Sequence, residues 1–188
     1  MDRRSWDQLI SATASIVAVV LIFVGGAAIY AGNFGRDNVK DRLEPEKVQF
    51  PPLSAMTPQE KEEIGEFAGD VVDTGPEAEA FSRYIQGHLA EVNEGETYSE
   101  TSAAAREEGL DPDTAADLSA KADVLFKGET LRSILLNAYG WWTVATIAFW
   151  VGIFLVLAGV VLGILAILGF RHAGRVRREE AAAAPVTA

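Results

Sequence analysis

Two long stretches of this chain carry no Asp, Glu, Lys or Arg: Gln8 to Gly35, and Ser133 to Phe170. Within them, Leu9–Ala31 and Thr143–Phe170 supply 23 and 28 mostly apolar residues. A helix needs only about 20 to cross the hydrocarbon core of a bilayer. A soluble chain of 188 residues has no interior large enough to enclose two such helices on every side. The sequence therefore predicts an all-α membrane protein, with two transmembrane helices flanking a small extracytoplasmic helical domain. Helix is forced even where Val and Ile are dense, because lipid offers no partner to open backbone groups and two spans cannot close a barrel. The second apolar run would be about 42 Å long as straight helix, against about 30 Å of hydrocarbon. It has to tilt or protrude.

The expected organisation is a cytoplasmic N-terminus at 1–8, a first span at 9–31 and an extended linker at 32–56. An acidic helical domain follows at 57–140, then a second span at 141–170 and a tail at 171–188, basic at first and then disordered. Trp6, Tyr139, Trp141, Trp142 and Arg171 are the expected membrane-interface residues, since amphipathic rings and long cations settle at headgroup level. Leu131, Leu135, Ala138 and Trp142 recur at helical spacing, so a short amphipathic helix should lead into the second span, with Gly128, Glu129 and Thr130 as a break and cap before it. Gly159 and Gly163 form a GxxxG pair that Ala148 and Gly152 extend, the composition of a close helix contact. Ser11, Ala14, Ser15 and Ala18 do the same on the first span. The simplest contact is one span packed on the other; a membrane-protein partner or a homo-oligomer is the alternative.

Residues 36–132 hold 23 acidic and 10 basic side chains, so the net charge of −11 for the whole chain arises in the segment between the spans. Counting flanking Lys and Arg does not orient the spans. Arg36, Lys40, Arg42, Lys47, Lys127 and Arg132 on one side balance Arg3, Arg4, Arg171, Arg175, Arg177 and Arg178 on the other. The tight cluster RHAGRVRR directly after Phe170 has no counterpart, and by the positive-inside rule it places both termini in the cytoplasm and the acidic segment outside a plasma membrane. The first apolar run is longer than a signal-peptide core of about 7–15 residues and lacks a small-x-small cleavage site after it, so it reads as an anchor. With no cysteine, no disulfide can brace the segment.

Between the spans, LEPEKVQFPPLSA reads as an extended spacer because Pro51 and Pro52 bias Phe50 away from helix. Thr57, Pro58 and Glu60 form a capping box, opening a helix with Ile64, Phe67, Ala68 and Val71 on one face. Gly75 and Pro76 open the next, whose Ala78, Phe81, Ile85, Leu89 and Val92 repeat at three- and four-residue steps. Thr97 with Glu100 marks a shorter helix. Asp111 and Pro112 start another, with Ala115, Leu118, Ala122 and Leu125 inward, and glycines 95, 109 and 128 punctuate the series. About four short helices make a marginal bundle, expected to gain stability from the membrane surface, a second copy or another protein.

Chemistry has little to work with. Of two histidines, His88 lies near an apolar helix face and His172 follows the second span, so the topology sets the bilayer between them. No metal or cofactor site is expected. DPDTAAD at 111–117 lacks the glycine and distal Glu of a calcium loop and is explained by a helix cap. No nucleophile elbow or phosphate-cradling loop is present. The acidic segment excludes nucleic acid as a partner, and spans without ionisable groups do not fit a pump or carrier.

Three stretches, NFGRDNVKDRLEPEKVQFPP, VDTGPEAEAFSRYIQGHLAEV and LFKGETLRSILLNAYGWWTVATIA, resemble an uncharacterised group of two-span membrane proteins from high-GC Gram-positive bacteria. The likeness covers residues 16–170. It implies an actinobacterial plasma membrane and carries no functional residues to transfer. Some members bear the label of aromatic ring-opening dioxygenase, an activity that would require an iron site such as the two-histidine, one-carboxylate kind. The histidine placement speaks against that label here. The expectation is a non-enzymatic membrane protein presenting an acidic domain for interaction or sensing, with a membrane-bound enzyme or an oligomeric channel subunit as alternatives.

Overall fold

A computed structural model describes residues 3–183. The element order is α1 (Arg3–Leu43), α2 (Pro58–Ile64), α3 (Gly75–Val92), α4 (Tyr98–Ala104) and α5 (Pro112–Ala183), with 3₁₀ turns at Glu44–Glu46, Leu53–Ala55 and Gly65–Phe67. The described residues are helical throughout, apart from loops and one isolated antiparallel bridge between Gln49 and Val71. Two helices, α1 of 41 residues and α5 of 72, are long and apolar enough to cross a membrane. The chain divides into two compact units: the first is 1–34 with 145–188, the second 35–144.

In the second unit the local start signals act as the sequence predicts. Thr57 Oγ1 accepts from the Glu60 N–H at 3.2 Å while the Glu60 carboxylate accepts from the Thr57 N–H at 2.7 Å. Thr97 and Glu100 repeat the same reciprocal pair at the head of α4. Asp111 accepts from the N–H of Thr114 at 3.0 Å, capping α5. At the head of α3 the Glu77 carboxylate accepts from the N–H groups of Asp73 and Thr74. Each satisfies donors that a helix N-terminus leaves open.

The expected linker at 32–56 is not a linker. Helix α1 continues to Leu43, and Val39 and Leu43 enter the core of the second unit. Phe50, expected on an exposed spacer, is 2% exposed. It stacks on Phe67 at 5.4 Å and meets the edge of Phe81 at 5.1 Å. The prolines do keep this stretch extended, and the extended backbone is what pairs it: the Phe50 N–H donates to Asp70 and the Val72 N–H to Val48. That pairing also corrects the helix face expected beyond Ile64. The chain leaves α2 there, so Val72 is buried and Val71 turns outward.

Gly128 does not break the chain either. Helix α5 runs straight through it, because Leu89 of α3 needs the space: a Cβ at position 128 would come within 2.9 Å of Leu89 Cγ. Gly95 and Gly109, by contrast, do punctuate, adopting left-handed backbone at φ 88° and 91°. The tail expected to be disordered is helical to Ala183, carried by the alanine run at the best helix-forming residue type. Residues 184–188 of that tail lie outside the described residues.

Candidate functional site

The first unit is built on a seven-residue repeat of small side chains. On α1, Ser11, Ala18, Gly25 and Gly32 are buried; on α5, Ala145, Gly152, Gly159, Ala166 and Ala173 are buried. Small residues at this spacing let two helix backbones approach closely. A Cβ on Gly25 would stand 2.8 Å from the Gly152 carbonyl oxygen, and one on Gly152 would stand 2.6 Å from that of Gly25. Gly32 abuts Ala145 and Phe149, Gly159 abuts Ala18 and Ile22, and Gly169 abuts Ser11. The contact is antiparallel. A strict seven-residue period stays on one face of each helix only if the pair winds left-handed.

That register aligns chemistry as well as shape. Pairing Ser11 with Gly169 sets the start of one charge-free stretch, Gln8, level with the end of the other, Phe170, while at the opposite end the second stretch runs on past Thr143 to Ser133. The first is about 42 Å as helix, close to the about 40–45 Å of a bilayer including its headgroups, and the second is longer. Large apolar side chains turn away from the seam: Phe23 is 77% exposed and Phe154 71%, with Ile16, Tyr30, Ile147, Trp150, Val161 and Leu168 alongside. Only 11% and 17% of the most apolar stretches of α1 and α5 are buried. A core helix of a water-soluble protein shows the opposite pattern. The Ser15 hydroxyl is satisfied within its own helix, donating to the Ser11 carbonyl at 2.9 Å.

Of the residues expected in helix contact, Gly152 and Gly159 lie in the seam. Ala148 and Gly163 are only half-buried at its margin, where a Cβ on Gly163 would make an ordinary 3.7 Å contact with Ala18. A search for four-residue spacing misses Gly25, Gly32, Ala145, Ala166 and Ala173, all legible as a seven-residue repeat. Among the expected interface residues, Trp6, Tyr139, Trp141 and Arg171 are exposed. Trp142 is not a free belt residue. It packs on the core of the second unit, flush against Gly75, which has no room for a Cβ.

Elsewhere the second unit offers weak material for catalysis. His88 Nδ1 lies 3.0 Å from the Tyr84 carbonyl and Nε2 lies 3.8 Å from a Glu60 carboxylate oxygen. Glu60 is already committed to its cap, and the Thr57 N–H holds its carboxyl below the ordinary range. One imidazole with one distant carboxylate does not fit a two-histidine iron site, and among the described residues no three His, Cys, Asp or Glu are grouped to hold a metal. An open groove of about 310 Å³ between α4 and α5 is lined by Tyr98, Ser102, Arg106, Asp123 and Phe126 among others. Its two serine hydroxyls are engaged: Ser102 accepts from Arg106, and Ser119 donates to the Ala115 carbonyl.

Several basic groups of the second unit are held in ion pairs. Lys40 pairs with Asp73 at 2.9 Å, Lys121 with Asp117, Lys127 with Asp123 and Arg132 with Glu129. The Asp73 hydrogen bond and charge raise the Lys40 pKa above its ordinary value. In the first unit, Arg171, Arg175 and Arg178 are exposed. Comparisons with protein-family models, with curated proteins and with solved structures find nothing that matches this chain.

Proposed function

We propose that the chain is a two-pass integral membrane protein without catalytic activity, whose acidic helical unit serves as an interaction or sensing element outside the plasma membrane. The observation that carries this reading is the helix pair itself. Its small side chains are spent on the seam and its large apolar ones face outward, an arrangement that lipid stabilises and water penalises. The coincidence of charge returning at Asp7 on one helix and Arg171 on the other supports a shared bilayer boundary at that end. Orientation follows from charge. The tight cluster Arg171, Arg175, Arg177 and Arg178 directly after Phe170 supports a cytoplasmic placement of both termini against an anionic surface. The acidic unit, net −13 over residues 36–132, would then meet cationic or basic partners outside.

An accessory role in a larger membrane assembly is the form of this function that the residues favour, since no constellation for catalysis or ion relay accompanies the domain. Purification from native membranes in mild detergent, followed by mass spectrometry, is expected to recover a stoichiometric partner or a homo-oligomer. Recovery of a monodisperse monomer, stable through gentle solubilisation and crosslinking, would contradict it.

A further inference from the structure

The arginines beyond the second apolar stretch are arranged, and the arrangement goes past what a charge count records. Helix α5 does not fray after Phe170; it continues through Ala183. Arg171, Arg175 and Arg178 are therefore spaced four and three residues apart on one helix and share a face. Ala173, two residues from Arg171 and so on the opposite side of the helix, is buried as the last member of the seam. The seam thus fixes the rotation of the helix, and with it the direction in which the arginines project. All three are exposed, and Gly174 beside them has open space around it.

We infer that Arg171, Arg175 and Arg178 form a docking stripe for the phosphate headgroups of anionic phospholipids in the leaflet at that end of the helix pair. The inference rests on the membrane reading above and adds the ligand class. The occupant follows from two features on the same helix. The stripe starts immediately where the apolar stretch ends, and it carries the charge opposite to such headgroups. Arg175 and Arg178 lie about 6 and 10 Å further along the helix than Arg171, within the about 10 Å over which surface charge is felt at moderate salt. Long side chains reach back toward the surface, and guanidinium forks match phosphate oxygens two at a time. A flexible basic tail would attract the same lipids without order among its members. A rigid stripe predicts a gradient, with Arg171 contributing most and Arg178 least.

The test uses the full chain in detergent micelles and in nanodiscs. Native mass spectrometry with equal phosphatidylglycerol and phosphatidylcholine is expected to show preferential retention of the anionic lipid. Each Arg→Gln substitution should weaken that preference by up to about five-fold at the headgroup edge, in the order Arg171, Arg175, Arg178. The triple Arg→Lys variant should keep most of the preference, which shows that loss in the glutamine variants is loss of charge and not of folding. An unchanged preference in the triple Arg→Gln variant, or equal effects at all three positions, would overturn the stripe while leaving the membrane reading intact. Release of the wild-type chain from membranes by alkaline carbonate would overturn both.

Discussion

At the scale of single residues, missing side chains decide how closely the helices approach. Gly25, Gly32, Gly152 and Gly159 are needed for close approach, since a Cβ at each meets the facing helix at 2.6–2.9 Å. Gly26, one residue along, faces open space. Gly25→Val or Gly152→Val is therefore expected to destabilise the helix pair by about 1–3 kcal/mol, the cost of forcing extra carbons into a close-packed contact. Gly26→Val should change it little. The unfolding midpoint in mixed micelles reads both, and equal behaviour of the two positions would show that the seam is misplaced. Gly75 makes the same point in the second unit, where the missing Cβ leaves room for the Trp142 ring. Trp142 could be read as an interfacial aromatic from its neighbours in sequence, but its partner lies 67 positions away, which local pattern does not reveal.

Among the elements, what could be read from sequence and what could not divide along local and non-local causes. Phe50 tests the division directly. If residues 43–55 were a spacer, Phe50→Ala would cost nothing; buried between Phe67 and Phe81, it should cost about 3–5 kcal/mol. Leu53→Ala, at an exposed position nearby, should stay within about 0.5 kcal/mol. Chemical denaturation of the full chain in detergent, followed by tryptophan fluorescence, compares the two. The starts of α2, α4 and α5 were legible because a capping box or an Asp-Pro pair is written within four residues. The length of α1 was not, since nothing near Gly32 says that Val39 and Leu43 will be buried by Phe50, Ile64 and Leu135. Gly128 was misleading for the same reason: a glycine signals a break or a close neighbour, and only Leu89 decides which. The two long apolar helices were legible because each is written as an unbroken apolar run long enough to cross a bilayer. Their mutual seam was written in the sequence too, at a spacing of seven where a four-residue motif drew attention.

At the scale of the whole molecule, α1 and α5 each contribute to both units, and only short turns and three shorter helices lie between them. The acidic unit draws core residues from α1 and α5 as well as from α2 and α3, which supplies the apolar area that a four-helix bundle of about 75 residues would lack. The proposed topology sets the helix pair in a bilayer with the acidic unit outside the cell. Because the chain has no cysteine, single introduced thiols report on it without background. In intact cells, Glu94→Cys is expected to react with a membrane-impermeant maleimide, while Phe154→Cys reacts only after denaturation in detergent. Labelling of Phe154→Cys as readily as Glu94→Cys would place the helix pair in water, and labelling of Glu94→Cys only after lysis would reverse the orientation.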